Sequence, residues 1–135
     1  MGKLNLHRYD VVQAEIKIKD PSGHIQKKRR PYVIVGNETG TIMSPTIIAM
    51  PLTHVIKKEN MPVHGCIEAD SETGLSLYSM VLGEQPCTLD KEYEVIKKLG
   101  SIKDDKQKNI VNKVCFNTLF YGENINWEEV LAWLW

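Results

Sequence analysis

The stretch KKRRPYVIV, residues 27–35, sets four consecutive cations directly before a proline and a run of apolar residues. The run from Tyr32 to Val35 has the apolar, β-branched character of a buried strand. Pro31 holds its own φ at about −65° and favours an extended backbone at the residue before it. The sequence therefore predicts a strand at whose start the Arg30 guanidinium is held in position, as a group that acts on phosphate must be.

The pattern on either side of this stretch predicts further strands. Upstream, apolar and polar residues alternate from Asp10 to Ile18 with the period of a half-buried strand. Downstream, short apolar segments are separated by residues typical of turns. The predicted strands are 10–18, 32–35, 45–52, 63–69, 77–82 and 93–102, with turns at 36–44 and 70–74 and a long loop, functional or mobile, at 19–30.

Two helices are expected after the strands. Asp104 with Gln107 fits a helix N-cap, and apolar residues then recur at helical spacing as far as Leu119, to form a stripe that packs on the sheet. Asn126 with Glu129 repeats the cap pattern and opens a terminal helix. Strands followed by helices indicate an antiparallel barrel or sheet with appended helices, and 135 residues suit one domain with one core.

The three tryptophans of the chain, Trp127, Trp133 and Trp135, are crowded into this terminal segment. The simpler interpretation, which we favour, is that the terminal helix packs on the barrel. The alternative is an exposed aromatic helix that marks an interface with a partner.

Charge and composition exclude several classes of protein. Lys plus Arg and Asp plus Glu are 17 each, so no overall field attracts nucleic acid or membranes, and any preference for anions is local, between Lys17 and Arg30. The three cysteines show no CxxC spacing, no signal peptide is recognisable, and no apolar run approaches the roughly 18 residues that span a bilayer. We expect a cytoplasmic protein with reduced thiols and no membrane partner.

No metal or cofactor is expected, because the histidines lack the spacing of a metal site and the chain has no HExxH, Walker, GxGxxG or GxSxG motif. A metal-free site remains open, and RNA is one substrate for which such a site suffices, because its 2′-hydroxyl is its own nucleophile. An enzyme must then remove one proton, donate another and stabilise the extra charge on the phosphorane. The candidates, at strand ends and in adjacent loops, are Arg30, Thr53, His24, Gln26, Glu84 and Gln85.

Each candidate also has a purely structural interpretation. Arg30 suits phosphate because a guanidinium is permanently cationic and bidentate, and Thr53 can hydrogen-bond a phosphoryl oxygen. The structural alternatives are an ion pair for Arg30, a strand end for Thr53 and a solvated loop position for His24. For Glu84 and Gln85 the alternative is to satisfy the backbone of a turn.

Five motifs in order resemble the MazF/PemK family of toxin endoribonucleases. They are YDVV (9–12), GHIQ (23–26), RPYVIV (30–35), SPTII with PLT (44–53) and EQPCTLD (84–90), which resemble GDVV or GEIW, G-S/H-E-Q, RPVLVI, SPT…V-P-I/L-T and E/D-Q-I/P-R-T-I-D. No single motif is specific, but five at family-like spacing are hard to obtain by chance. The match covers roughly residues 10–119.

The resemblance implies a small antiparallel SH3-like barrel of the MazF/CcdB type, over residues 1–120, with a C-terminal helical extension of the same domain at 121–135. It implies a homodimer with a groove that binds single-stranded RNA, which the enzyme cleaves without metal to leave a 2′,3′-cyclic phosphate and a 5′-hydroxyl. A cognate antitoxin is expected to occupy the same groove. Arg30 and Thr53 fall on the most critical family positions. The implied catalytic residues are Arg30, Thr53, His24 and Glu84, and the implied RNA-binding residues are Gln26, Lys27, Lys28, Arg29 and Gln85.

The chain departs from the family motifs at two places near the expected site. Ile25 stands where the family usually has Glu, and Cys87 replaces the usual Arg. The lost cation supports a second hypothesis, a degenerate family member that binds RNA or antitoxin without cleavage. A gyrase poison of the CcdB type, which shares the fold, is a further alternative, and the matches at Arg30 and Thr53 argue against it.

Overall fold

The computed structural model of the chain describes residues 4–17 and 28–134. Within these residues lie seven strands and three helices. The strands are β1 (Asp10–Ala14), β2 (Arg30–Ile34), β3 (Thr46–Thr53), β4 (His64–Ile67), β5 (Ser79–Leu82), β6 (Cys87–Asp90) and β7 (Val95–Ser101). The helices are α1 (Glu38–Met43), α2 (Asp105–Phe120) and α3 (Trp127–Ala132).

The strands form an antiparallel sheet in the order β4-β5-β3-β2-β1-β7, and β6 adds to β3 beside this path. One edge of β3 pairs with β2, and the other edge is shared: residues 46–49 pair with β6, whereas Leu52 and Thr53 pair with β5. Pro51, which has no N–H to donate, lies at this change of partner. As described, the sheet is open, and the mainly β, barrel-like fold with a packed helix and an extra C-terminal helix is confirmed.

The central strands bury side chains on both faces of the sheet. β1 and β2 contribute Val11 and Val33 to a first cluster of buried residues, which α2 completes. The next residues along the two strands, Val12 and Ile34, belong to a second cluster. Because adjacent residues of a strand point to opposite faces, a strand buried on both sides reads as a continuous apolar run. This accounts for the unbroken run at 32–35.

Both predicted helix caps are present. The Asp104 side chain accepts a hydrogen bond from the Gln107 N–H (3.1 Å), and the Asn126 side chain accepts one from the Glu129 N–H (3.1 Å). The apolar stripe of α2 is shorter than predicted, because Leu119 is 70% exposed. α2 ends at Phe120, directly before the predicted start of the C-terminal extension at residue 121. The division of the domain at 120/121 itself stays a prediction.

Other local predictions differ from the structure. Residues 36–44, expected as turns, contain α1, whose N-cap Asn37 accepts a hydrogen bond from the Gly40 N–H (2.7 Å). The sequence does not predict β6, since four residues carry little pattern of their own and the strand forms by pairing with β3. β1 ends at Ala14 rather than Ile18, which lies outside the described residues together with most of the loop at 19–30.

Tyr9 adopts a left-handed backbone conformation (φ 72°) immediately before β1. The family motif that resembles YDVV has glycine at this place, as the conformation favours. Here the ring is held by the Arg8 guanidinium, 4.9 Å from its centroid, and by Lys108 Nζ at 5.2 Å on α2. The Tyr9 hydroxyl also donates to Asn112 Oδ1 (2.7 Å), so these contacts offset the backbone strain and join the start of β1 to α2.

Candidate active site

A cleft of about 620 Å3 lies where β2 begins and β3 ends. Arg30 and Thr53 line it from these two strands, and residues 74–77 form part of the opposite wall. Lys28 and Arg29, which precede β2, also line the cleft and are exposed. Four of the side chains that the sequence predicted for the site therefore share one concave surface.

The antiparallel register explains why Arg30 and Thr53 meet. Tyr32 pairs with Pro51 in the β2–β3 ladder, and the same register continued by two residues sets Arg30 opposite Thr53. Residues two apart on a strand point to the same face, so both side chains follow the face that buries Tyr32 and Ile34. Arg30 and Thr53 are thus positioned by regular strands rather than by loops.

The Arg30 guanidinium is partly withdrawn from water. Its Nε atom is buried and has no hydrogen-bond partner among the described residues. Burial lowers the pKa of Arg30, and the nearby Tyr32 opposes that shift, but a guanidinium keeps its charge at any physiological pH. A buried donor without an acceptor costs free energy, so an anionic oxygen that reached it would be bound favourably.

The wall opposite Arg30 is mixed apolar and hydroxylic. Leu77 and Val55 line the cleft with about half of each side chain exposed, and Leu75 lines it as a buried residue. Ser76 and Ser79 supply hydroxyl groups to the same surface. Such a wall can cover the flat face of a nucleobase while cations on the other side hold a phosphate.

Of the remaining predicted site residues, Glu84 and Gln85 lie within the described part of the chain, and neither lines the cleft beside Arg30. His24, Gln26 and Lys27 lie outside the described residues, as does Ile25. Among the described residues, Glu84 and Gln85 are absent from the lining of the cleft, and they occupy the turn between β5 and β6. Glu84 comes four residues after Met80, the partner of Thr53 on β5, and so lies further along the sheet.

Glu84 instead contacts His64, one of the four histidines whose spacing in the sequence does not fit a metal site. Glu84 Oε2 is 2.6 Å from His64 Nε2, and His64 Nδ1 is 2.9 Å from the Lys58 carbonyl oxygen. The carbonyl can only accept, so Nδ1 donates to it. The two contacts tie the β5–β6 turn to the β3–β4 loop. No spacing in the sequence indicates this contact.

Replacing His64 with alanine is expected to destabilise the fold by about 1–3 kcal/mol, because the imidazole is only 5% exposed and its removal loses its packing and two hydrogen bonds. His54→Ala is the matched control, since that imidazole is exposed and a surface substitution costs at most about 0.5 kcal/mol. Urea unfolding of the two variants measures the difference. Equal midpoints would show that the His64 contacts do not stabilise the chain.

Cys87 takes the place of the family arginine and is a neutral thiol here. Cys87, on β6, pairs with Ala49 of β3 and packs against the second cluster of buried residues. Burial, and then the charge of Glu94, raises the pKa of Cys87 to about 11. The pKa of Tyr32 is raised to about 12, first by burial and then by Cys87, while Arg30 lowers it. Cys87 and Arg30 therefore both affect the pKa of Tyr32, in opposite directions. The neutral Cys87 thiol brings no positive charge to the site.

These raised pKa values predict a loss of stability at high pH. A Cys87 thiol that ionises near 9.0 when unfolded and near 11 when folded stabilises the native state below pH 9, and this contribution disappears as pH rises to 11. Tyr32 acts in the same direction between pH 10.0 and about 12. Thermal midpoints should fall from pH 9 to 11, and less steeply for Cys87→Val. Parallel curves for the two proteins would contradict the assignment to Cys87.

The described residues contain no group of three or more His, Cys, Asp or Glu side chains that could hold a metal ion. None of the described helices is long and apolar enough to cross a membrane. The three cysteines, all within the described residues, are free.

Comparisons with known proteins agree on one family. Residues 7–117 match the family model described as PemK-like, MazF-like toxin of type II toxin–antitoxin systems. The chain is 37% identical over 109 residues to Endoribonuclease MazF of Staphylococcus saprophyticus. The aligned residues cover 81% of this chain and 88% of the relative.

Solved structures share the fold at lower identity. A mycobacterial endoribonuclease in complex with its cognate antitoxin superposes with a TM-score of 0.65 at 20% identity, over 84% of this chain and 94% of that one. MazF from Deinococcus radiodurans superposes with a TM-score of 0.62 at 18% identity, over 82% and 94% of the two chains. From the family model and the 37% identity, the chain belongs to the PemK-like, MazF-like family of toxins of type II toxin–antitoxin systems.

Proposed function

We propose that the chain is an endoribonuclease toxin that cleaves single-stranded RNA without a metal ion. In this reaction the 2′-hydroxyl of the RNA attacks the adjacent phosphate, the bond to the 5′-oxygen breaks, and the products carry a 2′,3′-cyclic phosphate and a 5′-hydroxyl. Membership of the toxin family and 37% identity to an endoribonuclease support the proposal. The site offers what such a reaction requires of the protein: fixed positive charge and hydrogen-bond donors at the phosphate.

The observation that carries the proposal is the buried Nε of Arg30, which has no hydrogen-bond partner in residues 4–17 and 28–134 and lines a cleft with Thr53. Negative charge on the phosphoryl oxygens increases as the phosphorane forms, and a donor already withdrawn from water interacts with it more strongly than a hydrated one. Because β2 positions the guanidinium, little reorganisation is needed when the charge develops. Arg30 is accordingly assigned the role of stabilising the phosphorane.

Thr53 is assigned a hydrogen bond to a phosphoryl oxygen. Its Oγ1 accepts a hydrogen bond from the Val55 N–H (3.1 Å), which occupies an acceptor position of the hydroxyl and orients it. That bond does not use the O–H group, so a phosphoryl oxygen can accept from Thr53. Lys28 and Arg29, exposed at the rim, attract the RNA backbone, and their individual loss should weaken binding and its salt dependence.

The other proposed roles depend on the family motifs alone. They are proton transfer by His24 and Glu84 and RNA binding by Gln26, Lys27 and Gln85. Glu84 can reach an Arg30 cleft only after leaving His64 or from a second protomer, since it lies outside the cleft lining of its own protomer. We further propose a homodimer, a cognate antitoxin that competes with RNA, and action in the cytoplasm.

The direct test is incubation of the purified chain with a mixed pool of single-stranded RNA in EDTA. Cleavage is expected, with 5′-hydroxyl ends that a polynucleotide kinase labels without prior phosphatase treatment. Absence of cleavage, or cleavage that requires added Mg2+, would contradict the proposal. Mapping the ends also reports the recognition sequence.

The second candidate function is binding without cleavage, and the neutral, partly buried Cys87 in place of an arginine favours it. In that case RNA binds in a gel-shift assay but is recovered intact. If RNA neither binds nor is cleaved, inhibition of DNA supercoiling would indicate a gyrase poison instead.

A further inference from the structure

Gln13 is the one carboxamide among the described residues that line the Arg30 cleft. It lies two residues after Val11 on β1 and pairs with Pro31 on β2, so it belongs to the face of the sheet that carries the first cluster of buried residues. Three apolar residues in that cluster or packed against it also line the cleft: Leu52, Leu75 and Leu99. The Gln13 carboxamide is therefore a polar group in an apolar part of the cleft.

This carboxamide is held in place but has no partner of its own among the described residues. The Gln13 side chain is partly buried, and no hydrogen bond joins its carboxamide to another described residue. Its backbone is fixed by strand pairing on both sides, with Pro31 of β2 and Lys97 of β7. Ligand pockets commonly combine apolar walls with a few placed polar groups that orient the ligand. Gln13 fits the role of such a group.

The place of Gln13 relative to Arg30 suits a single nucleotide. Gln13 pairs with Pro31, the residue directly after Arg30. Arg30 pairs with Ala14 of the second cluster, so Arg30 and Gln13 reach the cleft from opposite faces of the sheet. The cleft thus joins a cationic part, to which we assign the phosphate, to an apolar part that contains one carboxamide. A base attached to that phosphate can enter the apolar part.

We infer that Gln13 determines which base the protein accepts beside the cleaved bond. A carboxamide presents an acceptor next to donors, which matches the hydrogen-bonding edge of a base, and this edge is accessible in single-stranded RNA. Leu77 and Val55 cover the flat face of the same base. A base whose edge does not match leaves the amide unpaired in apolar surroundings, which costs free energy. The inference rests on the proposed function for its substrate, and it adds the residue that selects sequence.

Cleavage of a random pool of single-stranded RNA, followed by sequencing of the new ends, tests the inference. The wild type should prefer one base at a nucleotide that flanks the cleaved bond, by about fivefold or more, as a bidentate contact provides. Gln13→Leu, which replaces the amide by an apolar group, should lose this preference and keep those at other positions. Gln13→Glu should shift the preference toward guanine, whose edge has two adjacent donors, because a carboxylate only accepts.

Lys97→Leu is the matched control. Lys97 is exposed, pairs with Gln13 on β7 and is not among the described residues that line the cleft, so its replacement should change no base preference. Circular dichroism checks that each variant folds. Unchanged preferences in Gln13→Leu, or the same loss in Lys97→Leu, would overturn the inference.

A binding measurement separates this inference from the proposed function. RNA with 2′-O-methyl riboses lacks the attacking hydroxyl and cannot be cleaved, so a random pool of it, captured on immobilised protein and sequenced, reports the base preference in binding. A preference that Gln13→Leu abolishes, without cleavage of the unmodified pool, would refute the proposed function and support this inference. Cleavage without any base preference beside the cleaved bond, or binding of neither pool, would overturn the inference.

Discussion

Replacing Arg30 with alanine is expected to lower the rate of RNA cleavage by about 10²- to 10³-fold, the loss typical when one donor to a developing oxyanion is removed. The effect should fall on kcat, because the buried Nε interacts more strongly with the charged phosphorane than with the substrate. Single-turnover cleavage of a synthetic RNA measures it. Equal rates for the variant and the wild type would exclude Arg30 from the chemistry.

Two neighbouring cations separate this role from general attraction of RNA. Arg29→Ala removes an exposed cation from the rim of the same cleft, so it should raise KM and reduce its salt dependence while leaving kcat within a few-fold. Lys103→Ala removes an exposed cation before α2 and should change neither constant. A loss of kcat for Arg29→Ala as large as for Arg30→Ala would mean that total charge, rather than the position of Arg30, limits the reaction.

The stability of Arg30→Ala provides a further check with a defined sign. Because Nε is buried without a partner among the described residues, the loss of this atom relieves a desolvation cost and breaks none of the described hydrogen bonds. The free energy of unfolding should stay within about 1 kcal/mol of the wild type or rise above it. An inactive variant that is also strongly destabilised would point to a structural ion pair, the alternative that the sequence leaves open for Arg30.

The strands around the site were predictable because their patterns are local. Residues 32–35 and 45–52 are apolar, bounded by proline and turn residues, and they became β2 and β3 with small shifts at their ends. The antiparallel register, continued from Tyr32 and Pro51, sets Arg30 opposite Thr53, the two residues that the family resemblance places on its most critical positions. The two helix caps are equally local, since each involves residues three apart.

What the sequence could not predict depends on contacts between distant residues. The pair of His64 and Glu84 joins residues 20 apart, and it gives a predicted catalytic carboxylate a partner outside the cleft. The loss of solvent around Arg30 Nε is likewise a property of the assembled core. The left-handed backbone of Tyr9 had a signal, the glycine of the family motif, but only the contacts with Arg8 and α2 show why tyrosine is tolerated.

The opposite wall of the cleft yields the second large prediction, in which Gly74→Ala lowers the free energy of unfolding by about 3 kcal/mol or more. Gly74 has φ +70°, and a Cβ atom there would lie 2.0 Å from the Leu99 carbonyl oxygen. A methyl carbon and a backbone oxygen clash when they are 2.0 Å apart, so either β7 or the turn at 70–74 must move. Both Gly74 and Leu99 line the cleft, so the movement should also reduce RNA cleavage by the folded fraction.

Gly122→Ala is the control that separates steric clash from backbone conformation. Gly122 has φ +76°, almost the same conformation, but a Cβ atom there would meet nothing within 4 Å. Its replacement should cost only the left-handed backbone preference, about 1–2 kcal/mol, and leave cleavage unchanged. Urea unfolding of both variants measures the difference. If Gly74→Ala is no less stable than Gly122→Ala, then the backbone at Leu99 moves to accommodate the methyl group at little cost in free energy. The close approach of Gly74 to β7 would then not be required for stability.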